Sequence, residues 1–136
     1  MAAADARGDV VLLPHAYPFV FVDRVLVLTP GAWAVVVKNV TCNEPLVAPG
    51  GTAAALFLEV MAQAAGLAAA SLHRRPTQIL LAAITRFRCR SLVVVGEPLL
   101  VTARVLGKLG ANVKVRVGVN VAGRICAAGD LVLHCG

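Results

Sequence analysis

The chain has 136 residues, enough for one domain with a sizeable core. It is 59% hydrophobic, with a mean hydropathy of +0.82, but a membrane span is excluded: the uncharged run through its most apolar segment, residues 60–72, has 13 residues, and a span needs about 20. A net charge of +6 points to an acidic partner; six aromatics and no basic run longer than Arg74-Arg75 rank nucleic acid low, leaving an acidic carrier protein, a phosphorylated cofactor, or solvated basic residues with no specific partner.

Residues 1–8 are small and polar and read as a flexible lead without a secretory h-region; residues 9–136 read as a single domain. Pro14 and Pro18 interrupt the first apolar stretch. Residues 19–28 are β-branched and aromatic, with Asp23 and Arg24 in their middle, and Pro30-Gly31 closes them as a turn. Residues 33–41 form a second strand, so the two pair as a hairpin. Asn43-Glu44-Pro45 then opens a loop of 8 or 9 residues.

The spacing predicts one long helix over 52–73, with Thr52 as N-cap after the flexible Gly50-Gly51, Arg74 and Arg75 at the negative end of the dipole, and Pro76 preventing continuation. On that helix Ala55, Glu59, Ala62, Gln63, Gly66 and Ala70 share a side, because residues three and four apart are neighbours. Apart from Glu59 and Gln63 the side is built only of Ala and Gly, so something can approach the backbone closely. The single carboxylate is then at least partly buried, which is costly unless it is paired or used.

Four strands follow. Residues 79–90 end with Arg86, Arg88 and Arg90 alternating against Phe87 and Cys89, which predicts a strand with one basic face. Residues 99–106 form the next strand, between turns at Gly96-Glu97-Pro98 and 107–110. Val113, Val115, Val117, Val119 and Val121 alternate with polar residues or glycine, so one face of that strand is buried. Ala122-Gly123 turns into the last strand, 125–135. Cys42, Cys89, Cys126 and Cys135 lack metal or redox spacing and read as reduced packing thiols of a cytosolic protein; no metal or cofactor is expected.

Two strands, one long helix and four strands joined by short connections imply an α+β architecture, an antiparallel sheet of five or six strands wrapped around the helix. That is the hotdog fold. Its free edges invite dimerisation, and the excess apolar surface is expected to lie partly between subunits.

Three blocks in order, LPHAYPFVFVDRV (13–25), KNVTCNEP (38–45) and FLEVMAQAAG (57–66), resemble the (3R)-hydroxyacyl-[acyl-carrier-protein] dehydratases of bacterial fatty-acid synthesis; RCRSLVVVGEPL (88–99) is a looser match. The resemblance covers nearly the whole chain. It implies a hotdog dimer or trimer of dimers with an acyl tunnel at the dimer interface, acting on an acyl-carrier-protein or CoA thioester. Eliminating water needs a base for the C2 proton, an acid for the C3 hydroxyl, and donors for the thioester oxygen. By resemblance Glu59 is the helix acid and Gln63 holds its carboxyl. Gly50, Gly51, Phe57 and His15 fall at the substrate, and Arg88 and Arg90 at the carrier.

The chain departs from the pattern at one place. Where the family continues into a Gly-His-Phe-Pro loop, residues 46–52 read Leu-Val-Ala-Pro-Gly-Gly-Thr and run several residues shorter, without the His. His15 belongs to the separate Leu-Pro-His block, while His73 and His134 read as surface or interface groups. Two alternatives therefore stand beside the dehydratase: a thioesterase using Glu59 after the Gly50-Gly51 turn, and a non-catalytic subunit of a heteromeric dehydratase.

Overall fold

A computed structural model describes residues 22–40, 47–48, 51–52, 54–70, 79–90 and 96–135. In chain order the elements are β1 (Arg24–Thr29), β2 (Trp33–Asn39), β3 (Val47–Ala48), β4 (Gly51–Thr52), α1 (Ala54–Ala69), β5 (Ile79–Cys89), β6 (Pro98–Leu109), β7 (Asn112–Val121) and β8 (Arg124–Cys135). Six strands form one antiparallel sheet in the order β1-β2-β6-β7-β8-β5. The expected α+β architecture and hotdog arrangement are what the chain adopts.

The alternation read in the sequence fixes which face of the sheet is dry. Val113, Val115, Val117, Val119 and Val121 point inward beneath α1, opposite Ala127, Leu131 and Leu133 of β8 and Val101 and Ala103 of β6. Leu56, Phe57, Val60, Met61, Ala64, Leu67 and Ala68 fill the other side of that layer. Burial on most sides explains why α1 carries almost no polar residue.

The helix end is tied to the first hairpin. Gly31, at φ 79° in the β1–β2 turn, donates its N–H to the Ala68 carbonyl at 2.8 Å, satisfying one of the last-turn acceptors. β2 therefore starts beside the C-terminal end of α1.

Three expectations change. Thr52 is a strand residue: β3 and β4 pair Val47 with Thr52 and Ala48 with Gly51, where a plain loop and an N-cap are expected. The signal was Pro49-Gly50 between the two pairs, residue types that suit the centre of a tight turn. The helix that is described begins at Ala54 and ends at Ala69, inside the expected 52–73. Third, β5 does not alternate regularly. Its register slips between Thr85 and Arg88, and Arg86 takes φ 57°, so the expected alternation of the arginines with Phe87 and Cys89 is broken there.

Candidate active site on the central helix

Glu59 lies in α1 on the side that the sheet does not cover. Ala54 is exposed and Leu58, Glu59 and Ala62 are half-buried, whereas Leu56, Phe57, Val60, Met61 and Gln63–Ala69 are buried. One turn on, Gln63 is 1% exposed, and its Nε2 donates to Glu59 Oε1 at 3.0 Å. The i, i+4 spacing brings the pair together. With one oxygen held by the amide and Ala62 and Gly66 beside it, the carboxyl has a fixed direction and little side-chain bulk around it.

The other expected site residues are distributed differently. Gly51 is in β4, near the start of the helix in sequence, while Gly50 and His15 lie outside the described residues, as do Cys42, His73, Arg74 and Arg75. Phe57 is fully buried in the core with Leu56 and Met61. Arg88 pairs with Ala128 on the sheet face opposite the helix, and Arg90, just past β5, donates its backbone N–H to the Cys126 carbonyl at 2.7 Å. The fold thus joins Glu59 with Gln63 and keeps Arg88 on the far side of the sheet.

A second polar constellation escapes a reading by motif alone. Asp23 precedes β1 and Lys38 ends the inward row Ala34, Val36, Lys38 of β2, so the two meet across the hairpin: Lys38 Nζ is 3.6 Å from Asp23 Oδ2. That same oxygen accepts the Asn39 N–H at 2.6 Å, and the Asp23 N–H donates to the Val37 carbonyl at 2.9 Å. Lys38 is 4% exposed. Both rows of β2 before it are apolar, so the sequence does not mark the inward one; once on it, a lysine must find a carboxylate. The first two of the three sequence blocks thus touch each other, one supplying the acid and the other the base.

On the opposite face Arg116 holds Asp130 through two bonds, Nε to Oδ1 at 2.9 Å and Nη2 to Oδ2 at 3.2 Å. The Arg116 bonds hold the Asp130 carboxyl below its usual pKa; Lys114 and Arg86 add to this and burial opposes it. Cys126 and Cys135 are free thiols, and burial raises the pKa of Cys135. Among the described residues no group of His, Cys, Asp and Glu is arranged to hold a metal, and no helix is long and apolar enough to cross a membrane.

No family model matches the chain. Curated relatives do: the 3-hydroxyacyl-[acyl-carrier-protein] dehydratase FabZ of Ruminiclostridium cellulolyticum is 37% identical over 131 residues, covering 88% of this chain and 89% of its own. The protein of the same name from Streptococcus pyogenes serotype M3 is 32% identical over 142 residues, covering 97% and 99%. Among solved structures, the dehydratase heterocomplex ApeI:P from Xenorhabdus doucetiae superposes with a TM-score of 0.80 at 18% identity, covering 92% of this chain and 88% of that one. A hypothetical thioesterase with coenzyme A from Streptococcus pneumoniae gives 0.69 at 11% identity, covering 83% and 84%. The two structural likenesses establish the fold and nothing finer. The sequence relatives, matched over nearly their full length, establish that the chain belongs to the 3-hydroxyacyl-[acyl-carrier-protein] dehydratase family.

Proposed function

We propose that this chain is a hydro-lyase that removes water from a 3-hydroxyacyl thioester carried by an acidic acyl carrier protein, within fatty-acid synthesis in the cytoplasm. The observation that carries the reading is the half-buried Glu59 carboxyl, held by Gln63 on the side of α1 that the sheet leaves open. In the reaction a base takes the C2 proton, the C–H electron pair becomes the C2=C3 double bond, and the C3 oxygen leaves as water after accepting a proton. Glu59 exchanges the proton with that C3 hydroxyl. The C2 proton goes to His15, to a water, or to a group from a partner subunit, because this sequence has no Gly-His-Phe-Pro loop.

The working unit in this reading is a dimer. Among the described residues β5 is an edge strand, paired on one side by β8, and Leu81 and Ile84 project from it on the helix side while remaining exposed. A second copy laid along β5 covers both and encloses the open side of α1.

Hydration of a crotonyl thioester, the reverse reaction, tests the reading. Wild type is expected to turn over and Glu59→Gln to lose activity; equal rates, or no turnover in either, would overturn it. Release of free thiol from acyl-CoA without hydration would point to the thioesterase instead.

A further inference from the structure

The sheet face turned away from α1 has an unusual composition. Following the register, its outward residues include Val27 on β1, Trp33, Val35 and Val37 on β2, and Leu100 on β6, among Thr29, Asn39, Thr102 and Asn120, with Gly118 and Ala128 keeping the centre low. An antiparallel sheet with one face in water normally turns polar residues outward. Here Trp33 is 41% exposed and Leu100 39%.

Basic side chains are spread among these apolar ones. Arg24, Arg88, Arg104, Lys114 and Arg116 come from four different strands of this face, and the one carboxylate among its outward row residues is Asp130, buried beneath Arg116. Arg104 stands directly opposite Arg116 across the ladder, a like-charge pairing that costs stability. Arg116 is neutralised by Asp130, but Arg104 has no acidic partner among the described residues. Its neighbour on the other side is Trp33, and Trp33, Thr102 and Arg104 line a groove of about 510 Å³.

We propose that this face seats the protein on the surface of an anionic lipid bilayer. Charge decides among the possible occupants. A second copy laid face to face would oppose arginine to arginine with no exposed acid between them. A bilayer instead offers a continuous anionic plane above an apolar layer, which suits cations distributed across the width of the sheet with an exposed Trp and aliphatic residues between them. Trp33 enters the interface, Arg104 and Lys114 meet headgroups, and the helix side stays free for chemistry, so the contact does not depend on the activity proposed above.

Trp33 is the only tryptophan of the chain and reports directly. Full-length protein is mixed with vesicles of phosphatidylcholine alone or of equal parts phosphatidylcholine and phosphatidylglycerol. The Trp33 emission is expected to shift to the blue, and the protein to sediment, only with the second kind, less so at high salt. Arg104→Gln is expected to lower the partition coefficient about fivefold, and Arg104→Gln with Lys114→Gln about thirtyfold. Both side chains are exposed, and circular dichroism checks that the variants fold. Equal binding to the two kinds of vesicle, or an unmoved Trp33 spectrum, overturns the proposal. So does protection of Trp33 from acrylamide that rises with protein concentration, which would assign the face to a second copy. Binding to polyglutamate but not to vesicles would assign it to an acidic protein and overturn the proposal equally.

Discussion

Asp23 and Lys38 face each other across the β1–β2 hairpin at 3.6 Å, with the ammonium buried and the carboxylate 40% exposed on its side chain. The asymmetry predicts unequal costs. Asp23→Ala removes the carboxylate facing a buried cation and also an acceptor for the Asn39 N–H, and should destabilise by about 2–4 kcal/mol. Lys38→Met leaves a carboxylate that water can reach and should cost about 1 kcal/mol or less. Urea unfolding of the two variants measures both; equal losses would mean that the burial of Lys38 is not what the pair contends with.

Asp130 makes stability depend on pH. Its folded pKa is lowered, by the Arg116 bonds first, so its contribution is fully present above the unfolded value of about 3.9 and is lost as pH falls through the folded value. Melting temperatures of wild type and Asp130→Asn should differ by a few degrees at neutral pH and converge in strong acid. Curves that stay parallel throughout would contradict this.

Gly129 permits the irregular course of β5. A Cβ there would sit 3.3 Å from the Phe87 Cα and 3.5 Å from Met61 Cε. Met61 can swing aside, but Phe87 is backbone within the slipped register between Thr85 and Arg88. Gly129→Ala should therefore destabilise by about 1 kcal/mol, the strain outweighing the gain from a stiffer unfolded chain. A variant more stable than wild type would show that the bulge yields freely.

Gln63 is predicted to act through Glu59. Gln63→Leu keeps the volume and removes the bond at 3.0 Å, so kcat for crotonyl-thioester hydration should fall about three- to tenfold with little change in KM. A rise in KM alone would place Gln63 on the substrate instead.

The β5 edge gives a solution test. Leu81→Glu puts a charge where a second copy is proposed to pack, and sedimentation should move from dimer to monomer with loss of turnover. An unchanged sedimentation coefficient would put the subunit contact elsewhere.

Much of the fold is legible in the sequence, and the exceptions have physical reasons. The valine alternation of β7 gave its inward face because a half-buried strand must obey a period of two. Helical spacing puts Glu59 and Gln63 on one side of α1, and the family resemblance supplies the bond between them. What stayed hidden depends on partners distant in the chain. The bulge at Arg86 follows from how Phe87 approaches Gly129, and Lys38 reads as an ordinary strand lysine until its inward register is known. The short pairing of Val47 with Thr52 was masked by glycine-rich composition that suits a loop equally well.

The strand order has a kinetic consequence. β6, β7 and β8 are joined by two-residue turns and pair with one another in sequence order, so this meander can form while the rest of the chain is still open. β2 can dock on β6 only after Trp33 finds Arg104, across a loop that contains the whole of α1. Pulse-labelled hydrogen exchange during refolding should accordingly protect β7 amides before those of β2, with the helix trapped between the two halves as the last gap closes.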